Sequence, residues 1–451
     1  MLVPEEQHRF AIEVVRRLRG AGFTAYLAGG CVRDQILGRT PKDYDVATDA
    51  IPPQIRQLFG RRRTLAIGAA FGVIAVRGPR AAGQVEVATF RRDLSYSDGR
   101  HPDAVAFSSA EEDAARRDFT INGLFFDPVQ QRVIDFVGGQ EDLARGRVRA
   151  IGDPRQRFSE DKLRMLRAVR FAATFGFQLD QQARNAIAEM APQIAVVSPE
   201  RIAMEMRRLL VDAHAARAVR LMWETGLAAV LLPEIVPHDS QQRERFDQTL
   251  EMLTRLSRGE SFPAHAGETI GPTPGAATQA QSGHAVHDER ASLPSFPLAL
   301  AALLSAWVDA EQAAVICRRW RLSNAETERT AWLVAHRDSL QQVREMRWSA
   351  LQPILIADGA SELLRLIEAG SPTEAEAAAY CRSLLRQPRE RLDPPPLLTG
   401  DDLRAMGVPP GPRYKVWLQR LRDAQLDQEI HTRAEAMAQA ERWLLAEHEC
   451  L

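Results

Sequence analysis

Three carboxylates and a pair of glycines carry the first chemical signal in this chain. Asp43 and Asp45 stand two apart in DYDVAT, a segment whose composition predicts a strand. On a strand that spacing puts both side chains on one face and Tyr44 on the other, with the two Cα atoms about 6.6 Å apart. Carboxylates so placed can share Mg²⁺, a hard cation that takes oxygen ligands and keeps positions for phosphate oxygens and water. Two such ions about 3.5–4 Å apart can stabilise both the attacking and the leaving oxygen of an in-line phosphoryl or nucleotidyl displacement. Glu86 in QVEVATF offers a third carboxylate, because Val85 and Val87 take one face of that strand and leave Glu86 with Gln84 and Ala88 on the other. Upstream, TAYLAGG reads as a buried strand stopped by Gly29 and Gly30 and followed by a helix, whose N-terminus favours an anionic phosphate; Arg33 lies one turn in. Taken singly, the glycine pair is a packing turn, DxD a solvated acidic turn and Glu86 a solvent-facing charge. A glycine turn, a helix and DxD following one another between positions 29 and 45 favour the catalytic reading.

The elements that must position these groups occupy the first 150 residues. Residues 5–19 have apolar side chains at helical spacing and end at Gly20; FGVIAV, VEVATF and VIDF are further strand candidates. From about residue 155 the strand signal nearly vanishes and ARNAIAEMAPQIAV, ERIAMEMRRLLVDA and HAARAVRLMWETGLAAVLL read as helices. In EDKLRMLRAVR a helix would step Arg164, Arg167 and Arg170 by three, drifting about 60° each time, with Asp161 one turn before Arg164 and Leu163, Leu166 and Val169 as a parallel apolar stripe. In isolation Asp161 and Arg164 are an ordinary surface ion pair. Residues 258–295 are rich in Gly, Pro, Ala, Ser and Thr without periodicity and predict a flexible insertion. Helices resume at FPLALAALLSAWV, and QPRERLDPPPLLTG marks a second break.

Composition excludes several classes. A chain of 451 residues with 45% apolar and 26% charged residues is an ordinary globular protein of two to four domains. No run approaches the roughly 18 apolar residues of a membrane span, and the acidic opening MLVPEEQHRF is unlike a signal peptide, so the expected location is the cytoplasm. Cys31, Cys317, Cys381 and Cys450 are far apart, which argues for a reducing compartment and against a cysteine metal site. Only Lys42, Lys162 and Lys415 are lysines among 58 basic residues, so a single arginine carries little weight.

The ordered blocks AGGCVRDQILGRTPKDYDVAT, VEVATFRRD, SYSDGRHPDAVAF, EEDAARRDFTING and IGDPRQRFSEDKLRMLRAVRFAATFGF closely resemble the bacterial class II tRNA nucleotidyltransferase/poly(A) polymerase family. The match is dense over residues 20–235 and looser beyond. It implies an α+β chain: a polymerase β-like nucleotidyltransferase head with a mixed sheet over residues 1–150, followed by an all-α neck at 151–235, body at 236–395 and tail at 396–451. By position, Asp43 and Asp45 resemble the metal-binding pair and Glu86 the third carboxylate, with Mg²⁺ as cofactor and one carboxylate helping to deprotonate the RNA 3′-hydroxyl. Gly30 and Arg33 resemble triphosphate contacts. Arg117 and Asp118 match the block that contacts the sugar and phosphates, with Asn122 nearby; Gly123 stands where the family often has alanine, a change expected to be tolerated. Asp161 and Arg164 correspond to the pair that reads the Watson–Crick edge of the incoming base, and Arg167 and Arg170 lie toward the triphosphate. An acceptor-only carboxylate beside a fork of donors suits that task.

Many relatives carry a His-Asp region in the body. Here Asp247, Ser305 and Ala306 stand at those positions, so no second metal site and no phosphohydrolase activity are expected, and His336 and the remaining histidines read as surface or packing residues. Arg413, Lys415, Arg420 and Arg422 resemble tail contacts to the phosphates of tRNA, with a solvated helix face the alternative for each. The scaffold supports CCA addition, CC addition, A addition and poly(A) synthesis. By the resemblance, poly(A) polymerases carry a basic block where LAIGAAFGVIAV is uncharged, although Arg61, Arg62 and Arg63 lie just upstream, which favours tRNA; CC-only enzymes lack the flexible loop that RRDLSYSDGRHPDAVAF supplies, which argues against CC-only addition. CCA addition from CTP and ATP is the default and A-only addition its rival; a catalytically dead RNA-binding protein is the non-enzyme alternative, against which the intact DxD, Glu86 and EDKLR argue.

The near-zero net charge of −1 hides two halves: residues 1–220 sum to +7 and residues 221–451 to −8. Basic residues concentrate at 56–63 and 155–170, where they can supply the salt-dependent attraction that RNA binding requires.

Overall fold

A computed structural model describes residues 3–68, 71–93, 105–260, 293–408 and 411–448. The loop expected after Glu86, most of the 258–295 insertion and Cys450 lie outside the described residues. The chain divides into two compact units, residues 1–246 and 247–451.

The first unit opens with α1 (Pro4–Gly20), which has Pro4 at its start, Glu5 and Glu6 in its first turn and Arg17 and Arg19 in its last, charges that suit the helix dipole. There follow β1 (Ala25–Ala28), α2 (Gly30–Ile36), β2 (Asp45–Thr48), α3 (Pro52–Phe59), β3 (Thr64–Gly68), β4 (Val73–Arg77), β5 (Gln84–Thr89), β6 (Arg91–Asp93), β7 (Val105–Phe107) and α4 (Ala110–Ala115). Then come β8 (Leu124–Asp127), β9 (Arg132–Asp135), α5 (Gly139–Ala144), β10 (Arg147–Val148), α6 (Pro154–Glu160), α7 (Leu163–Phe175), β11 (Gln178–Leu179), α8 (Gln181–Met190), α9 (Pro199–Leu210), α10 (Ala215–Glu224) and α11 (Leu227–Leu231). A helix at Ser240–Arg258 crosses the division between the units.

Seven strands form one mixed sheet in the order β3-β4-β5-β2-β1-β8-β9. The β2–β5 pair is parallel and its other neighbours are antiparallel. Register partners run straight across it: Leu65, Ala75, Glu86, Asp45, Ala28, Phe125 and Ile134 form one row, so their side chains share a face. Ala28 and Phe125 are buried there with Ala47, Phe90 and Ala114 of α4. The next row, Ile74, Val87, Val46 and Leu27, points the other way and is fully buried. One row of the sheet is thus core, and the adjacent one carries two acids.

Three sequence expectations change. The DYDVAT strand begins only at Asp45, because β1 ends opposite it at Ala28 and offers Asp43 and Tyr44 no partner. Asp43 and Asp45 are nevertheless exposed and Tyr44 buried, so the alternation survives without the ladder. The single helix expected over 214–232 breaks into α10 and α11 at Gly226, whose φ of 78° is left-handed. Asp161 is not on a helix: it is extended, at φ −149° and ψ 105°, between α6 and α7. Its Oδ1 accepts from Leu163 N–H at 3.1 Å, an arrangement that starts a helix and does not extend one.

The second unit is helical in its described residues. Toward the C-terminus, helices Pro412–Leu426 and Arg433–His448 bury Trp417, Leu421, Ala436 and Ala440 with Leu403, and Trp417 meets Trp443 edge to face. Arg422 is taken up in this fold, donating to Asp393 at 2.8 Å, while Lys415 and Arg420 are exposed. His336 stacks on Trp332 with centroids 4.5 Å apart. No helix among the described residues is long and apolar enough to cross a membrane.

Candidate functional site

The turn between β1 and α2 is built on Gly29. Its φ of 75° and ψ of −128° lie where a side chain is strained, and a Cβ there would come within 2.7 Å of Arg117 Nη1. Gly29 N–H donates to Leu124 O at 2.9 Å, which ties the turn to β8. The ladder of α2 begins with Val32 and Arg33 N–H bonding to Gly29 O, so Gly30 and Cys31 supply the leading amides. Cys31 packs beneath, its thiol pushed up to about 12 by burial, so it stays protonated near neutral pH.

Asp45 and Glu86 are side by side as register partners on β2 and β5, the position sequence alternation expected for Glu86. Both are open to solvent. The Asp45 carboxyl is pushed up to about 7, by desolvation first and then by the charges of Asp43 and Glu86, against the pull of Arg117. Asp43 and Glu86 therefore both act on Asp45, on the central strand of the sheet. Among the described residues no three acids, histidines or cysteines are closed into a metal cage. The donor chemistry still fits a divalent cation: acid oxygens only, with the charges of Asp43 and Glu86 adding to desolvation in raising Asp45. Asp43, Asp45 and Glu86 are the residues that could hold Mg²⁺.

Beside them four side chains form a continuous chain. Arg33 Nη1 donates to Asn122 Oδ1 at 2.6 Å and Asn122 Nδ2 to Asp118 Oδ1 at 3.0 Å. Asp118 Oδ2 accepts from Nε and Nη2 of Arg167, at 2.9 and 2.6 Å. Burial alone would raise the Asp118 pKa, but Arg167, the Asn122 hydrogen bond and the nearby Arg164 bring it down to about 2. Arg33 is buried over the rings of Phe171 and Phe175, 5.2 and 4.6 Å from their centroids, and its Nε donates to Asp34 at 2.8 Å. Arg117 is gripped by Asp113 and donates to Asn122 O at 3.1 Å. The structure thus brings Gly30, Arg33, Arg117, Asp118 and Arg167 to one place and seats Asn122 at the junction.

α7 carries the remaining residues. Leu163, Leu166 and Val169 are buried as the expected stripe, leaving Arg164, Arg167 and Arg170 on the less apolar side. Asp161 and Arg164 do not pair with each other. Asp161 accepts from Arg201 Nη2 at 2.7 Å, and Arg164 donates to Glu160 at 2.7 Å. Arg170 bonds to Glu205, a buried acid on α9, and its guanidinium lies 4.2 Å from the Phe171 centroid. Sequence reasoning missed Asp113, Arg201 and Glu205: among 55 arginines and many acids, partners so distant in sequence leave no local signal. At Gly123 a Cβ would meet Val137 Cγ2 at 2.7 Å, so the smaller residue suits this place as the chain is packed.

Comparison with known proteins finds likeness in the head and in the fold. Residues 25–149 match the family described as the poly(A) polymerase head domain, and residues 176–238 one described as a probable RNA and SrmB-binding site of polymerase A. The chain is 42% identical over 224 residues to the CCA-adding enzyme of Geobacillus sp. (strain WCH70), covering 49% of this chain and 54% of that enzyme. It is 35% identical over 269 residues to poly(A) polymerase I of Haemophilus influenzae, covering 57% of this chain and 58% of the relative. The chain thus spans little more than half the length of the curated relatives it matches. Its fold is similar to that of Bacillus stearothermophilus CCA-adding enzyme in complex with CTP, with a TM-score of 0.71, 28% identity and full coverage of both chains. The fold also resembles that of Thermotoga maritima CCA-adding enzyme complexed with tRNA, with a TM-score of 0.62 and 18% identity over 97% of this chain and 95% of the other. Sequence blocks, a mixed-sheet head and these likenesses converge on one kind of protein: over residues 25–149 the chain is similar to the poly(A) polymerase head domain, and its fold is similar to that of a CCA-adding enzyme.

Proposed function

We propose that this protein is a template-free nucleotidyltransferase that adds CMP and AMP, from CTP and ATP, to the 3′ end of tRNA to make CCA, releasing pyrophosphate. The observation that carries the reading is the register of Asp45 with Glu86 beside the Gly29 turn and the Arg33–Asn122–Asp118–Arg167 chain. Acids are thereby set next to fixed arginines, as transfer from a triphosphate requires. Gly30, Arg33, Arg117, Arg167 and Arg170 hold the triphosphate, Asp118 orients Arg167 and contacts the sugar, and Asp161 and Arg164 read the base. A carboxylate of the Asp45–Glu86 pair takes the proton of the RNA 3′-hydroxyl. Asp43 and Asp45, with Glu86, hold Mg²⁺, which when bound supplies acidification of the hydroxyl and counter-charge for the phosphates. The positive residues at 56–63 and 155–170 draw RNA to this unit, so binding weakens as salt rises.

The test is incubation with labelled CTP and ATP and two RNAs, tRNA ending before CCA and tRNA ending in CC. CMP and AMP added to the first supports CCA addition. AMP added only to the second selects A addition, a long A tract selects poly(A) synthesis, and binding without incorporation on either leaves an RNA-binding protein.

A further inference from the structure

Asp161 and Arg164 stand three residues apart at the start of α7, a spacing at which an acid and an arginine readily neutralise one another. Each is instead held by a different partner. Asp161 Oδ2 accepts from Arg201 Nη2 at 2.7 Å and Oδ1 from Leu163 N–H at 3.1 Å, while Arg164 Nη1 donates to Glu160 Oε2 at 2.7 Å. These are sheltered pairs, with side-chain exposures of 16% and 15% for Arg201 and Asp161 and of 11% and 15% for Arg164 and Glu160. Arg201 arrives from α9, forty residues further along the chain. Its helix is secured independently: Glu205, one turn on, is buried in its bond to Arg170, and Ile202, Met206 and Leu209 are core residues.

We propose that Arg201 is a specificity-determining positioning residue, which fixes the plane of the Asp161 carboxylate and keeps it off Arg164 so that both remain free to read the incoming base. The proposal rests on the reading of this site as one that adds nucleotides to RNA. An ionised carboxylate only accepts hydrogen bonds. Cytosine and adenine present an exocyclic amino donor where guanine and thymine-type bases present a carbonyl oxygen. A carboxylate held still attracts the first two and repels the others. A carboxylate that rotates, or that is neutralised by Arg164, loses this contrast. Arg201 thus sets which bases are accepted without touching them, and Glu160 does the complementary work on Arg164.

The experiment compares the full-length wild type with Arg201→Ala and Arg201→Lys, after circular dichroism confirms folding. Two quantities are read: kcat and KM, for CTP and UTP on tRNA lacking CCA and for ATP and GTP on tRNA ending in CC, and equilibrium binding of CTP and UTP to the RNA-free protein. In Arg201→Ala the preference for CTP over UTP and for ATP over GTP should fall about tenfold or more. The loss should sit mainly in KM, and Arg201→Lys should recover part of it. A folded Arg201→Ala that discriminates like wild type in turnover and in binding would overturn the proposal, as would an equal loss for all four nucleotides, the mark of a merely structural role. If Arg201→Ala does not fold, Arg201→Gln, which keeps a donor on a shorter uncharged stem, takes its place. A wild type inactive on every tRNA would sink the proposed function, while the contrast in nucleotide binding would still decide the role of Arg201.

Discussion

Asp45 and Glu86 face one another across neighbouring parallel strands, two acids in the same row of the sheet with a third, Asp43, acting on the first. The Asp45 carboxyl keeps its proton up to about 7, against 3.8 for an ordinary aspartate. For an acid whose folded value is raised, the folded state binds more protons between the two values. Its contribution to stability is therefore present in acid and lost as pH rises through 7. Asp45→Asn should melt above wild type near pH 8, by a margin that shrinks near pH 5, and should lose nucleotide addition. Mg²⁺ should raise the melting temperature of wild type near pH 8 more than that of the variant. Thermal melts at the two pH values, with and without Mg²⁺, check this; a variant no more stable than wild type near pH 8 would contradict it.

The Asp118–Arg167 pair has the opposite sign. Its carboxylate titrates at about 2 in the folded protein, so the stabilisation is complete above 3.8 and fades only as pH falls toward 2. Asp118→Ala leaves Arg167 without its acceptor and should cost about 3–5 kcal/mol at neutral pH. Asp118→Ala combined with Arg167→Met should cost less than Asp118→Ala alone, because no unpaired charge remains. Urea unfolding of the variants measures both, and equal losses would mean that the unpaired Arg167 carries no cost.

Gly29→Ala separates backbone strain from displacement. A side chain at φ 75° and ψ −128° costs about 1–3 kcal/mol, and its Cβ would also push on Arg117 Nη1, 2.7 Å away. Gly22, at φ 89°, has open space around it. Both alanine variants should lose stability, and Gly29→Ala should also raise KM for CTP and ATP several-fold. Steady-state kinetics beside melting curves distinguish them; an unchanged KM in Gly29→Ala would remove Arg117 from the triphosphate site.

Glu205 is the buried partner of Arg170, whose own pKa is lowered by desolvation despite that acid. Glu205→Gln keeps the shape and removes the charge, and should destabilise by roughly 2 kcal/mol. Glu205→Ala should destabilise further, since it leaves Arg170 with no acceptor there. Chemical denaturation settles the order of the two.

What was legible in the sequence is what local pattern determines. Leu163, Leu166 and Val169 bury as their spacing says, Gly29 ends β1 as a glycine pair before a helix should, and Glu86 stands opposite the face of Val85 and Val87. What was not legible depends on distant neighbours. LFFD at 124–127 has no alternation to announce β8, yet it pairs with β1 on a sheet interior. Asp43 has strand-like neighbours but no strand to bond to. Asp161 reads as helical until its side chain is seen capping the turn after it, and its acceptance of Arg201 belongs to a contact between helices that no spacing rule encodes.

The parallel β2–β5 ladder has a consequence for how the protein is made. Asp45 and Glu86 come together only when the chain has travelled out through α3, β3 and β4 and returned, so the acidic cluster closes with a non-local pairing of the kind that slows folding. Local helices such as α1 can form well before that ladder. Return of nucleotide addition during refolding should therefore lag behind return of helical signal, and activity serves as the late clock of assembly in this unit.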